Sequence, residues 1–549
     1  MKKWMMATTI MLLLLLPVFY MAIDVFFTGD EVVTYSMANN AEGGFVFSQG
    51  RISDYLSGEV FNKDGRSLAS KLFNVGSDVL KNKGGAKILN YPRDPEIRLY
   101  TGDEINDWFQ KREYERFNVG ITWLHSLSDD GNSWLYYSLV NLSSSLFMKI
   151  SATKWSAFLI NIIFHALTLF ALLKIGQKLG NDSRQNIGML VFYGASFELL
   201  TRTVTNLRPY TLGSFFATLL VLLIMSLYEK IISEDNGLDK SIPVIIFTYG
   251  IGYVSHYTVG AVFASFGIAL VLFMLIGKHK EIGKILLTGI VGILFGILLS
   301  PDSIIGVLKK FVANGGGSDK ELEPFVIFVF AIALLVFVII LVSIIRNKGN
   351  TDNELLFITC AVSLMFIVIV GGTKGFGYAR VLFPVTYAVI FRWLIILGDR
   401  ISIEDRKDLM KKVSEALLGV YIIVNLAFAY QYKMDENSAF LAKQDALDEI
   451  DIKNCYYFRK HAQGYMDTRN LLGRFENIQV ITIDTEGWED MVELLPSSVD
   501  EPVLLYFADE SEDEAALSWI QSFDYTENND VYKDESTHII VASKSANQS

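Results

Sequence analysis

The chain has 549 residues, 51% of them hydrophobic and only 20% charged, with a mean hydropathy of +0.33. Soluble domains carry about 25% charged residues, so this balance excludes an ordinary soluble enzyme. The net charge of −12 is concentrated after residue 432, which excludes a basic nucleic-acid or membrane-surface patch, and the two cysteines, Cys360 and Cys455, make neither a disulfide framework nor a CxxC metal site.

Lys2 and Lys3 precede an apolar run over 4–27. The run is longer than a signal-peptide core of about 7–15 residues and lacks a small-x-small cleavage site, so it reads as an uncleaved first span. A polar segment rich in Asp, Asn, Gly and Tyr follows over 28–132. Residues 133–150 are aromatic and apolar but broken by Asn141 and a run of serines, and read as an interfacial helix lying on the membrane. Ten further apolar blocks follow at 156–177, 186–202, 209–228, 242–256, 258–277, 284–300, 324–345, 354–371, 379–397 and 413–431, each near the length that crosses a bilayer.

Charge tests this count of eleven spans, because short cytoplasmic loops carry the Lys and Arg excess. One side collects Lys2, Lys3, Lys174, Lys178, Arg184, Lys230, Lys240, Lys278, Lys280, Lys284, Arg346, Lys348, Arg400, Arg406, Lys407, Lys411 and Lys412, and is read as cytoplasmic. The other side receives 28–155, the turns at Arg208 and His256, the 301–323 loop, the Lys374 loop and everything after 432. Counting 133–150 as a span would invert every later loop. Arg392 is expected to snorkel at the cytoplasmic end of its span.

The tail has strand-like runs at 480–483, 502–507 and 538–542, with helical stretches at 488–495 and 514–523. It reads as a small α/β domain without a Gly-rich nucleotide fingerprint. The predicted architecture is a polytopic α-helical membrane domain over 1–431, with a large extracytoplasmic loop at 28–155, followed by an extracytoplasmic α/β domain over 432–549.

Ionisable groups near hydrocarbon are costly, so a cluster of them on one face is a functional hypothesis. Gly29-Asp30-Glu31 puts two carboxylates just past the first span, where a solvated turn is the plain alternative. Asp129-Asp130 precedes the interfacial helix, where capping would also explain Asp130. Asn206-Leu207-Arg208-Pro209-Tyr210 is a tight turn in which proline opens the next span. A guanidinium fork matches a phosphate oxygen pair beside helix-terminal amides, so Arg208 is the leading phosphate-binding candidate against ordinary snorkelling. His256-Tyr257 fills a short connection between spans, with no HExxH or cysteine partner that would argue for zinc. Lys374, Tyr378 and Arg380 sit at the start of the tenth span, suited to a lipid phosphate or to headgroup contact.

In order and spacing these motifs resemble the glycosyltransferase C superfamily, of the protein O-mannosyltransferase and aminoarabinose-transferase type, over about residues 1–430. Gly29-Asp30-Glu31-Val32-Val33-Thr34-Tyr35 resembles the family's Asp-Glu loop opening. Asp130-Gly131-Asn132-Ser133-Trp134-Leu135-Tyr136-Tyr137 is similar to its Asp and Tyr-Tyr helix motif, with the His-Pro-Pro letters replaced. Its Glu-Ala-Arg-x-Tyr turn appears as Asn206 to Tyr210, with Asn206 in place of Glu, and its His-Tyr turn as His256-Tyr257.

The resemblance implies inverting transfer of a sugar from a polyprenyl-phosphate donor to an envelope glycan, lipid or protein acceptor on the outer side of the cell membrane. It implies Asp30 as general base, with Glu31 and Asp130 beside it. Arg208, Tyr210, Lys374 and Arg380 would serve the donor phosphate, and His256 and Tyr257 would orient substrate. Membrane lipid is an implied partner, nucleic acid is not, and no cofactor is called for, although some related enzymes use a divalent metal. Two other classes compete: a transporter or flippase of lipid-linked polysaccharide, which would show internal repeats or midplane charges, and a non-catalytic assembly or sensor protein, in which Asp30 and Arg208 would be replaceable.

Overall fold

The computed structural model describes residues 2–22, 98–103, 116–120, 134–150, 154–233, 238–299, 380–401, 407–459, 471–482, 503–508, 513–533 and 537–544, with isolated positions elsewhere such as 31, 34–35, 38–39, 111 and 357–359. Apart from isolated positions, the predicted spans at 324–345 and 354–371 lie outside the described residues, as does the helical stretch expected at 488–495.

The helices are α1 (Lys2–Met21), α2 (Trp134–Leu146), α3 (Trp155–Lys178), α4 (Ser183–Gly194), α5 (Tyr210–Ile232), α6 (Leu238–Ser255), α7 (Val259–Gly277), α8 (Ile282–Leu299), α9 (Phe383–Ile401), α10 (Lys407–Asp448) and α11 (Asp513–Gln521). Four described helices are long and apolar enough to cross a membrane: α3, α5, α7 and the greater part of α10.

Their surfaces are inverted relative to a soluble bundle. In α3 the exposed stripe is Leu159, Ile163, Leu167 and Phe170, whereas Asn161, His165 and Thr168 are wholly buried. An outward apolar face and an inward polar one is the pattern of a helix solvated by lipid, since hydrocarbon leaves polar groups no partner but the protein. This is a membrane protein.

Glycines bring the helices close, as expected where hydrophobicity cannot drive helices together. A Cβ on Gly250 would meet the Phe295 ring at 2.3 Å, and one on Gly292 would meet Phe263 at 2.7 Å, so both positions are reserved for hydrogen. At the ends of α3 and α5, Lys178 pairs with Glu229. Arg392 does not merely snorkel: its guanidinium donates to Asn181 Oδ1 at 2.8 Å.

Two expected helices differ in form. The block at 186–202 is not one continuous span: α4 stops at Gly194 and the chain resumes as a π-helical turn over Leu199–Thr203. The Ser196 hydroxyl donates back to the Tyr193 carbonyl at 2.8 Å, and the Phe197 N–H is accepted by Asn425 Oδ1 of α10 at 2.8 Å. Those side chains replace the lost helical bonds, which is what makes a break tolerable within an apolar bundle. The last block, expected to end at 431, continues as α10 to Asp448, a helix of 42 residues and about 63 Å.

The piece expected at the interface forms α2, 13 residues long and about 20 Å, short of a bilayer crossing. It is not a helix resting one greasy face on lipid. Tyr136, Tyr137, Val140, Asn141 and Ser143–Ser145 are buried on several sides, leaving Leu142 and Leu146 exposed.

The chain folds into two compact units, with one change of unit between Gln431 and Tyr432. The first comprises Met1–Ile23, Asp129–Tyr136 and Phe158–Gln431, and the second Asp24–Ser128, Tyr137–Ala157 and Tyr432–Ser549. The second unit holds a six-stranded sheet in the order β1-β3-β2-β4-β6-β5. Its strands are β1 (Arg98–Tyr100), β2 (Asn454–Arg459), β3 (Asn477–Thr482), β4 (Val503–Ala508), β5 (Tyr525–Lys533) and β6 (Thr537–Lys544). The three central strands are parallel and the outer pairings antiparallel. Both faces of the parallel core are buried, Tyr456 and Phe458 packing with Phe507, Trp519 and Ile520 on one side and Cys455 and Tyr457 on the other, as parallel sheets require. Burial pushes the Tyr456 hydroxyl up to about 12.

The edge strand β1 comes from the first loop, so loop and tail share one sheet. Gly102, just beyond β1, donates its N–H to the Phe475 carbonyl at 3.0 Å, and a Cβ there would lie 2.4 Å from the Gly473 oxygen. The obstacle is backbone on both sides, so it cannot swing away. Gly102→Val is expected to release β1, read as faster amide exchange over 98–102 with α3 unchanged. Unaltered exchange there would remove this glycine's role in joining loop to tail.

Candidate functional site

Among the candidate residues, Asp30, Asp130 and Lys374 lie outside the described residues. The others fall in two places, one in each unit.

In the first unit, α4 gives way to the π-turn, a short run of bends and then α5, which starts at Tyr210 directly after Pro209. Proline suits that position because its fixed φ fits a helix start and its missing N–H is one a first turn would leave unbonded. The stretch between is tied down residue by residue. The Thr205 hydroxyl donates to the Leu200 carbonyl at 2.8 Å, the Thr211 hydroxyl to the Thr203 carbonyl at 3.0 Å, and the Arg208 N–H to the Asn206 carbonyl at 2.8 Å. Leu207 is fully buried, which leaves Arg208 half-buried beside it.

Two remote segments meet at the start of α5. The Arg380 guanidinium lies 5.1 Å from the centre of the Tyr210 ring and donates to the Arg202 carbonyl at 3.3 Å. Its own carbonyl accepts from the Ser214 hydroxyl at 3.3 Å. On another side of Tyr210, the His256 ring sits at 5.6 Å, with Tyr257 stacked on that imidazole at 5.0 Å. The aromatic face helps orient the Arg380 guanidinium.

His256 Nδ1 accepts the Thr258 N–H at 3.3 Å and lies 2.8 Å from the Thr258 hydroxyl. A nitrogen that accepts cannot hold a proton, so the neutral ring carries its hydrogen on Nε2. The meeting point has no slack: a Cβ on Gly213 would stand 2.8 Å from the His256 Cβ and 3.1 Å from a Val381 methyl. Tyr210, His256, Tyr257 and Arg380 are thus one cluster, with Arg208 in the same turn as Tyr210.

In the second unit, Glu31 is only 2% exposed, and its carboxylate is held by the Lys154 ammonium at 2.8 Å. One turn on, the Tyr35 hydroxyl bonds the Ser156 hydroxyl at 2.9 Å. Residues 31, 34–35 and 38–39 are helical and buried, a spacing that turns one face inward. Lys154 and Ser156 therefore anchor Glu31 and Tyr35. Glu31, expected among the reacting carboxylates, is engaged in a buried ion pair. Lys154 was not singled out from the sequence because it lies in a short polar join before α3, where a lysine reads as a loop cation.

Sequence reasoning also passed over Asn161, because attention to span ends overlooked a polar residue inside an apolar span. Its amide donates to two carbonyls of the Arg208 stretch. Among the described residues no three His, Cys, Asp or Glu side chains gather as a metal cage.

Breaking a buried pair strands the remaining charge, at a cost of about 3–5 kcal/mol. Glu31→Gln is expected to lower the melting temperature of the purified protein markedly, and Lys154→Met added to it to recover most of the loss. Equal melting of Glu31→Gln and wild type would mean that the pair holds nothing.

No family model and no curated protein matches the chain. The solved structures that resemble it include two of ArnT from Cupriavidus metallidurans. The apo state has a TM-score of 0.45 at 10% identity, covering 80% of this chain and 91% of that one. The form bound to undecaprenyl phosphate has a TM-score of 0.41 at 10% identity, covering 75% of this chain and 87% of that one.

Proposed function

We propose that the protein is a membrane glycosyltransferase of the glycosyltransferase C type, moving a sugar from a polyprenyl-phosphate donor to a cell-envelope acceptor on the outer side of the membrane. The observation that carries this reading is the cluster at the start of α5. Two motifs and a cation chosen from sequence alone, around Tyr210, at His256-Tyr257 and at Arg380, are 46 to 170 residues apart and meet in one place. Their setting suits the donor, whose long apolar chain needs a membrane protein and whose phosphate needs cations.

In the proposed reaction an acceptor hydroxyl or amine attacks the anomeric carbon from the face opposite the phosphate. The new bond forms as the sugar–phosphate bond breaks, inverting the centre. Asp30 takes the acceptor proton, a general-base role worth about 10²–10⁴-fold. Negative charge grows on the departing phosphate, and Arg380 and Arg208, with Lys374, offset it where it develops. Tyr210 holds Arg380 in place, while His256 Nε2–H and the Tyr257 ring orient the sugar. Protein cations supply all the positive charge in this reading, without a resident metal. Glu31 steadies the loop that presents Asp30.

The test is transfer of label from a radiolabelled polyprenyl-phosphate sugar to envelope material by purified protein. Arg380→Ala is expected to lower kcat/KM by about 10²–10³-fold, the scale on which a lost charge-stabilising group acts. Asp30→Asn should lower kcat comparably. Gly213→Ala touches no reacting group but wedges α5 away from His256 and Val381, and should weaken transfer while the protein stays folded. Wild-type rates in both Arg380→Ala and Asp30→Asn would refute the assignment.

A further inference from the structure

Asn161 lies in the second turn of an apolar helix, is wholly buried, and makes three hydrogen bonds to segments far from it in sequence. The Tyr136 hydroxyl of α2 donates to its Oδ1 at 3.0 Å. That contact fixes which way the amide faces, so Nδ2 donates to the Val204 carbonyl at 2.8 Å and to the Asn206 carbonyl at 2.9 Å. The Asn206 oxygen is also the acceptor for the Arg208 N–H, at 2.8 Å. One carbonyl therefore takes both the Arg208 backbone and the Asn161 side chain. The path from the Tyr136 hydroxyl to the Arg208 main chain is hydrogen-bonded throughout.

The stretch over 204–208 needs such support. The π-turn ends at Thr203 and α5 begins only at Tyr210, so the carbonyls between have no helical N–H to accept from. Val204 is fully buried, so water does not supply the donor its carbonyl lacks, and a buried carbonyl left bare costs free energy. A hydrophobic residue at 161 would take this donor from the Val204 carbonyl and leave the Asn206 carbonyl with the Arg208 N–H alone. The residue type is set by that backbone and not by its own helix.

We infer that Asn161, oriented by Tyr136, is the positioning residue that sets the Arg208 turn for the donor phosphate. The inference rests on the phosphate role proposed for Arg208 and adds the part that aims it. Tyr136 belongs to the segment that opens four residues after Asp130, so the same contact links two motifs of the sequence through one buried amide.

The test is a double-mutant cycle read as the affinity of the purified full-length protein in nanodiscs for a polyprenyl phosphate without sugar. A group acting through Arg208 loses its effect once Arg208 is gone, whereas one that only stabilises the bundle weakens binding equally in either background. Asn161→Ala should weaken binding about tenfold, the scale of a disturbed buried hydrogen bond, and should change nothing further in the Arg208→Ala background.

Tyr136→Phe keeps the packing and only releases the amide. It should reproduce part of the loss, again only when Arg208 is present, and it serves as the probe if Asn161→Ala does not fold. For transfer, both variants should raise KM more than they lower kcat.

Losses that add across the cycle, or wild-type binding by both Asn161→Ala and Tyr136→Phe while Arg208→Ala binds poorly, would overturn the positioning role and leave the phosphate reading standing. Wild-type binding by Arg208→Ala would overturn the phosphate role of Arg208 and the inference with it.

Discussion

A polar group surrounded by hydrocarbon has no partner unless the protein provides one, and that constraint shapes the first unit more than any other. It explains why the inward face of α3 is polar and its outward face is leucine, isoleucine and phenylalanine. It explains why the interruption after α4 is accompanied by Ser196 and Asn425, each supplying a hydrogen bond where the helix supplies none. Arg392 ends on Asn181 for the same reason. Through Asn161, the rule also fixes the backbone from which Arg208 projects. A break in a helix, a buried amide and a candidate phosphate ligand are thus consequences of one requirement.

Close approach is the second ingredient, and it comes from residues without side chains. Gly213 lets α5 lie against both the His256 turn and the segment of Arg380, where any Cβ would hold them apart. Once that contact exists, Tyr210 supplies an aromatic face for the Arg380 guanidinium, and the imidazole and Tyr257 complete the wall. The clustered side chains are few, but their meeting depends on a glycine that has no side chain. Gly102 does similar work in the second unit, where the loop backbone runs against Gly473 and Phe475 too closely for any substituent.

The sheet shows how a short strand can escape notice and still decide the organisation of a chain. Three residues of the first loop, Arg98 to Tyr100, pair with β3 across almost four hundred positions of sequence. They are too few to show alternation. The strands read in advance, around 480–483, 502–507 and 538–542, were the central apolar ones, and they appear as β3, β4 and β6. β2 is aromatic but carries Asn454 and Arg459 at its ends, and β5 is mostly polar, as suits an edge whose side chains face water on one side. Neither has the apolar run that marks a buried strand.

By itself, the sequence determined that the chain enters a membrane and roughly where most of the described helices lie, and it singled out Tyr210, His256, Tyr257 and Arg380 as candidates. Hydropathy is a local property, and a costly polar residue at the end of an apolar run is visible without knowing its neighbours. Only the tertiary structure decided that these four residues touch, that Glu31 is occupied by Lys154, that loop and tail share a sheet, and that Asn161 serves the Arg208 turn. Each of those is a contact between residues remote in sequence, fixed by packing and by the need to satisfy buried backbone groups. No periodicity or composition within either partner records where the other will be.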